Sequence, residues 1–260
     1  MGKTIFMIHG MWGGPWYWEN YKSAFEKEGY SCLATTLPYH DMKPRELPDS
    51  RLGKDGLLDY AEALENEIRQ LPDKPVIMGH SMGGLLALIL ASRGSAKAAI
   101  LLTPAWPAGI KLMLPYSVIK SFLAIQMHWG FWRKPMRQSF KAAVYSMLHL
   151  VPAKEQREIY DRFVYESGRA AAEIGFWWWW LFSKAPSRVE KSNVTCPLLI
   201  IAGTQDRITP VSVVRRVADE YKHVAVYKEF PNHAHWVVGE PGWQEIANYV
   251  VNWVQKLPAK

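Results

Sequence analysis

The residues in this chain whose types and spacing could do chemistry begin with Gly79-His80-Ser81-Met82-Gly83. The chemistry is attack by a serine hydroxyl. A short β-branched apolar run, Val76-Ile77-Met78, enters this Gly-x-Ser-x-Gly segment, and an apolar run of helical length, Leu85 to Ala91, leaves it. A strand-to-helix turn this tight holds the serine in strained backbone geometry and leaves no room for side chains two residues either side, hence Gly79 and Gly83. It also sets the hydroxyl at a helix N-terminus, where unpaired N–H groups and the helix dipole favour developing negative charge. Five such residues also occur by chance in glycine-rich turns. The strand before and the helix after are what favour a nucleophile elbow. A second segment, Thr4 to Ile8 followed by His9-Gly10-Met11-Trp12-Gly13-Gly14-Pro15, reads as a buried strand running into a glycine-rich loop.

The elements that must position these residues follow from the rest of the chain. At 260 residues with 49% hydrophobic content, one α/β domain with a large core is expected. Trp16 to Lys27 reads as a helix closed by Gly29, Tyr30 to Leu37 as a strand, and Pro38 to Pro48 as a loop with three prolines. Leu57 to Leu71 carries apolar residues at helical spacing. Ala98 to Thr103 and Pro197 to Ala202 read as strands, Val211 to Tyr221 as a helix, Val224 to Phe230 as a strand and Trp243 to Val254 as a final helix. That gives a mostly parallel sheet of about six strands flanked by helices, its connections long enough for right-handed crossovers.

Residues 106–188 interrupt the alternation. They include helix-like stretches at Ser117 to His128, Lys154 to Gly168 and Arg169 to Phe182, and seven of the thirteen tryptophans: Trp106, Trp129, Trp132 and the run Trp177 to Trp180. The segment reads as a helical cap inserted before the penultimate strand, with 1–105 and 189–260 forming the α/β core. It also carries the whole charge excess, 12 Lys and Arg against 5 Asp and Glu, while the remainder holds 19 against 19. A solvated basic face is the simplest account; attraction to an acidic substrate or anionic lipid is the other.

Cys32 and Cys196 lie far apart and in no metal-type spacing, so no disulfide framework, metal site or cofactor is indicated, and a reducing, cytoplasmic setting fits. The apolar run at residues 4–8 is shorter than a signal-peptide core, and no stretch reaches the roughly 20 residues needed to span a bilayer. Nothing resembles a nucleic-acid-binding motif, and the oligomeric state is not legible.

Elbow, upstream His-Gly loop and late-inserted cap together resemble the α/β-hydrolase superfamily over nearly the whole chain except the cap, without that family's usual first two strands. The resemblance implies the chain order serine, acid, histidine. The acid is expected after strand Leu198 to Ile201, where Gly203-Thr204-Gln205-Asp206 looks like the family's acid turn. The alternative role for Asp206 is capping the next helix. The base is expected in Pro231-Asn232-His233-Ala234-His235-Trp236, where a small residue, histidine and a bulky residue select His235 over His233. The family's oxyanion donors map onto the backbone N–H groups of Met11 and Met82, whose side chains would give an adaptable apolar floor.

The opening loop is similar to that of the plant-type esterase and hydroxynitrile lyase branch. The lyases carry threonine where this chain has Gly10 and lysine where it has Trp236, and both departures point to hydrolysis of a carboxylic ester or thioester with a hydrophobic acyl or aromatic part. Carbon–carbon bond hydrolysis, cofactor-free perhydrolysis and lyase chemistry use related constellations and stay open, as does a small-molecule receptor with negligible turnover. Trp12, Trp106 and Trp236 are candidate substrate-binding residues. Four consecutive tryptophans, about 100° apart on a helix, must point in nearly all directions. Packing of cap on body is the simplest account of them, an apolar pocket the second and contact with a membrane surface the third.

Overall fold

A computed structural model describes residues 3–110, 116–118, 120–121, 129–176, 178 and 184–258. Six strands, β1 (Thr4–Ile8), β2 (Ser31–Ala34), β3 (Val76–His80), β4 (Ala98–Leu102), β7 (Leu198–Gly203) and β8 (Ala225–Phe230), form one sheet in the order β2-β1-β3-β4-β7-β8. Every pairing in it is parallel. The four inner strands are continuous apolar runs because both faces of a parallel sheet are covered. The edge strands β2 and β8 alternate exposed and half-buried residues.

Successive residues of each strand feed opposite faces. Phe6, Ile8, Ile77, Ala99, Leu101 and Ile200 pack with helices α2 (Leu57–Ile68), α3 (Met82–Ser92) and α7 (Val211–Glu220). Ile5, Met7, Met78, Ile100, Leu199 and Ile201 pack with α1 (Glu19–Lys27) and α8 (Trp243–Gln255). Ten of the 11 residues of α3 are buried, as befits a helix apolar all round. The strand order reverses between β1 and β3, and the crevice outside their carboxyl ends is where such sheets bind ligands. The Gly10–Met11 loop and Ser81 both emerge there.

Several of the expected elements have other bounds, the helix read as Leu57 to Leu71 stopping at Ile68 among them. The strand read as Tyr30 to Leu37 stops at Ala34, because the Leu37 N–H is taken by His9 Nε2 at 3.2 Å and Pro38 has no N–H to give. The helix read as Trp16 to Lys27 opens as a 3₁₀ turn, Pro15–Trp18, and becomes α-helical only at Glu19. The helix read as Lys154 to Gly168 is α5 (Ala153–Asp161). Beyond it Val164 N–H donates to Trp12 O at 3.0 Å, and β6 (Glu166–Ser167) pairs antiparallel with β5 (Pro135–Met136). Of the two other helices expected within 106–188, the one read as Arg169 to Phe182 is α6 (Gly168–Gly175), and residues 177 and 179–183 lie outside the described residues, as do 119 and 122–128 of the other. Phe140–Ala143 forms the short α4, which runs on as a wider π turn through Leu148.

The chain leaves the sheet at Leu102 and returns at Leu198, and the described part of this interval is fastened to the body by buried polar groups. Glu166 is fully buried; it accepts from Tyr60 Oη at 2.9 Å and from its neighbour Ser167 N–H at 2.7 Å, and faces His40 Nε2 at 3.1 Å. His40 Nδ1 donates to Pro38 O, so both ring nitrogens face acceptors. Burial opposes its charge, but Glu166 and these hydrogen bonds prevail and raise its pKa. Glu173 accepts the first N–H of α2, from Leu57, at 2.7 Å, and Arg169 Nε at 3.0 Å. Trp129 is 90% exposed, and Trp178 40%; Trp177, Trp179 and Trp180 lie outside the described residues.

Candidate active site

Strand β3 delivers Ser81 to the head of α3 with φ 56° and ψ −118°, a conformation that costs a non-glycine residue of order 1–3 kcal/mol. Both flanking glycines are required. A Cβ on Gly79 would collide with the Gly83 carbonyl, and one on Gly83 with the Ile8 carbonyl of the neighbouring strand. The elbow is therefore clamped between β1 and its own helix.

Asp206 and His235 reach Ser81 from the loops after β7 and β8. His235 Nε2 lies 2.9 Å from Ser81 Oγ, and His235 Nδ1 lies 2.7 Å from Asp206 Oδ2. A carboxylate only accepts, so Nδ1 carries the proton and Nε2 is free to accept the serine hydroxyl hydrogen. Asp206 is fixed in turn: Oδ1 accepts from Ile208 N–H at 2.7 Å and Thr209 N–H at 2.9 Å, and Oδ2 from the Thr209 hydroxyl at 2.8 Å. Burial pushes the Asp206 pKa up. The facing His235 and the hydrogen bonds from His235 and Thr209 outweigh it, and the net shift is downward, so the carboxylate stays ionised. His233, the other histidine of the loop, turns away and faces Glu240 Oε1 at 3.0 Å.

Above Ser81 sits the loop after β1. Tyr17 Oη donates to Met11 O at 2.9 Å, and His9 Nδ1 donates to Gly10 O at 2.8 Å while its Nε2 accepts from Leu37. Trp12 is left-handed, φ 62°, and its carbonyl is the one that takes the Val164 N–H. Among the described residues nothing accepts a hydrogen bond from the N–H of Met11 or of Met82. A Cβ on Gly10 would lie 2.9 Å from His80 Nδ1 and 3.1 Å from Ser81 Cβ, so glycine keeps the space before the nucleophile open.

Trp12, Trp106 and Trp236 are all nearly fully buried. Trp106 packs on the α3 side of the sheet and Trp12 on the other, alongside Phe131, Met147 and Phe163 of the inserted segment. Trp236 stands in an aromatic cluster with Trp16, Tyr17 and Phe163, at centroid distances of 5.8, 4.7 and 6.1 Å. Among the described residues no group of three or more His, Cys, Asp or Glu could hold a metal ion, and no helix is long and apolar enough to cross a membrane. Both cysteines are unpaired, and burial pushes the Cys32 thiol up to about 12.

Two further histidines line this region in neutral form. His9 and His80 are fully buried, and that desolvation, chiefly, brings each pKa down to about 3. In the unfolded chain both titrate near 6.5. Between those values the unfolded state binds more protons, so stability rises with pH at about 1.4 kcal/mol per unit for each histidine and is lost on acidification below pH 6.5. Denaturant unfolding at pH 5 is expected to give a free energy lower than at pH 7 by roughly 4 kcal/mol from this pair. His9→Gln should flatten that slope; an equal slope in the variant would contradict the assignment.

Thr209, His80 and Glu240 went unread in the sequence. Glu240 alone left a signal: it is the one carboxylate in an otherwise apolar stretch, Trp236-Val237-Val238-Gly239-Glu240-Pro241.

The alpha/beta hydrolase family model matches residues 5–248. Methylesterase 7 of Arabidopsis thaliana is 29% identical over 100 residues, covering 37% of this chain and 37% of that protein. Monoacylglycerol lipase of Mycolicibacterium smegmatis is 29% identical over 187 residues, covering 69% of this chain and 61% of its own. The matched segments thus span less than two thirds of these relatives' length. Among solved structures, a pyrethroid hydrolase from Sphingobium faniae superposes with a TM-score of 0.75 at 17% identity over 97% of both chains, a likeness of fold.

Proposed function

The chain belongs to the alpha/beta hydrolase family, and from that premise we propose that it is a serine esterase acting on a carboxylic ester or thioester with a hydrophobic acyl or aromatic part. The observation that carries this reading is the unbroken line Ser81 Oγ–His235–Asp206, at 2.9 and 2.7 Å, placed at a strained strand-to-helix turn. In the proposed reaction His235 Nε2 takes the Ser81 proton as Oγ attacks the acyl carbon, and then returns it to the leaving alcohol or thiol. Asp206 stabilises the imidazolium meanwhile. Water, deprotonated by the same imidazole, releases the acid from the acyl-enzyme. The N–H groups of Met11 and Met82 are the oxyanion donors in this reading; removing one such donor typically costs on the order of 10²- to 10³-fold in rate.

We divide the chain into a body, 1–105 and 189–260, and a cap, 106–188, that bounds the acyl site. Met11 and Met82 form its floor, and Trp12, Trp106 and Trp236 act as rigid walls behind it. Two relatives are named for ester substrates, which supports the ester reading. Lyase chemistry is disfavoured: a side chain at Gly10 would abut Ser81, and at 236 an indole in an aromatic cluster stands where the lyases have lysine. The three side chains supply the chemistry, so the mechanism calls for neither metal nor cofactor.

The test is a p-nitrophenyl ester series from acetyl to dodecanoyl, with phenylacetyl as the aromatic member. Expected are a pre-steady-state burst and a kcat/KM that rises from acetyl toward the longer or aromatic acyl groups. Absence of turnover with every member would overturn the esterase reading and favour a receptor.

A further inference from the structure

His235 is a loop residue, and its ring can meet both Ser81 and Asp206 only if its own peptide is fixed. Two buried side chains grip that peptide from opposite ends. On one side Ala234 N–H donates to Glu240 Oε1 at 2.8 Å; on the other His235 O accepts from His80 Nε2–H at 2.8 Å. Both residues are fully buried, and among the described residues Glu240 Oε2 and His80 Nδ1 have no hydrogen-bond partner. His80 also adjoins Ser81, so one residue ties the nucleophile's strand to the base's peptide. The approach of the base loop to the acid loop is equally tight. A Cβ on Gly203 would lie 2.5 Å from the carbonyls of both Ala234 and His233, and Gln205 N–H donates to His233 O at 2.8 Å.

We propose that Glu240 and His80 are positioning residues that hold the Ala234–His235 segment in register with Ser81, Glu240 through the Ala234 N–H and His80 through the His235 carbonyl and through its ring, which packs on the His235 ring at a centroid distance of 4.9 Å. The proposal rests on the serine-hydrolase reading above. It predicts that losing either grip slows the chemical step and leaves substrate binding alone, and that a variant restoring the hydrogen bond restores the rate. Glu240→Gln keeps a carbonyl oxygen for Ala234 N–H, and the amide N–H of His80→Gln reaches toward the His235 carbonyl as Nε2 does. Glu240→Leu and His80→Leu keep bulk but no bond.

The experiment measures the rate at which a fluorophosphonate phosphonylates Ser81, located by peptide mass spectrometry, beside kcat and KM on the best ester and the thermal midpoint of each variant. The Leu variants are expected to label more slowly by on the order of 10²-fold, the effect of a small misplacement of a catalytic group. KM should be unchanged, and the Gln variants should recover most of the loss. Labelling of Glu240→Leu at the wild-type rate, or a Glu240→Gln loss as large as that of Glu240→Leu, would overturn the proposal. Should Glu240→Leu fail to fold, the His80 pair decides by the same criteria. Wild-type protein that labels at Ser81 yet hydrolyses no ester would defeat the esterase reading alone, while a wild type that does not label would defeat both.

Discussion

Ser81→Ala is expected to lower kcat on the best ester by on the order of 10⁶-fold, the scale seen when a serine triad acting as a unit loses its nucleophile. Ser81 supplies the hydroxyl that His235 Nε2 faces at 2.9 Å, and in the proposed reaction no acyl-enzyme forms without it. What remains is water attack on a bound ester. The fold should be indifferent to the change, because the elbow is specified by Gly79 and Gly83 rather than by the serine hydroxyl, and alanine meets the same backbone strain at φ 56°. A steady-state kcat within tenfold of wild type, in protein with an unaltered circular dichroism spectrum and melting transition, would contradict this.

Asp206→Asn is expected to cost on the order of 10⁴-fold in kcat with little change in KM, through the tautomer of His235. The Ile208 and Thr209 N–H groups donate to Oδ1 at 2.7 and 2.9 Å, so an asparagine would keep its carbonyl oxygen there and turn its amide nitrogen toward His235. Nδ1 must then accept. The proton moves to Nε2, which meets the Ser81 hydroxyl as a donor and can no longer take its hydrogen. Steady-state kinetics at neutral pH check the magnitude. An Asn variant within tenfold of wild type would mean that Asp206 does not set the ring's protonation.

Of the three side chains that the fold brings together, Ser81 was legible for local reasons. Gly79 and Gly83 are dictated by the sterics of one turn, so the sequence around Ser81 carries its own structural signature. Asp206 follows an apolar run, Leu198 to Ala202, and His235 follows the mixed strand Val224 to Phe230; the resemblance to the hydrolase superfamily is what singled out each of them in its loop. The residues that secure those three were not legible, because their partners are remote in the chain. Glu240 reads as a loop carboxylate until the β8 loop folds back over it, and Glu166 lies in what looks like a helix until His40 and Tyr60 draw it inward. The misread helix over 154–168 has the same origin. A tertiary hydrogen bond from Tyr60 to Glu166 and one from Val164 N–H to Trp12 override a helical pattern that residues 162–168 would otherwise satisfy. Likewise β2 ends early because a histidine 28 positions away takes a backbone N–H that the ladder would have used.

The esterase reading requires that Ser81 become acylated. The most direct test is rapid quenching of the wild-type protein within the first turnover of a p-nitrophenyl ester, followed by peptide mass spectrometry. The predicted result is the acyl mass on the peptide carrying Ser81, at a stoichiometry matching the burst of p-nitrophenol. Release of p-nitrophenol with no adduct on Ser81, or with the adduct on another residue, would contradict it.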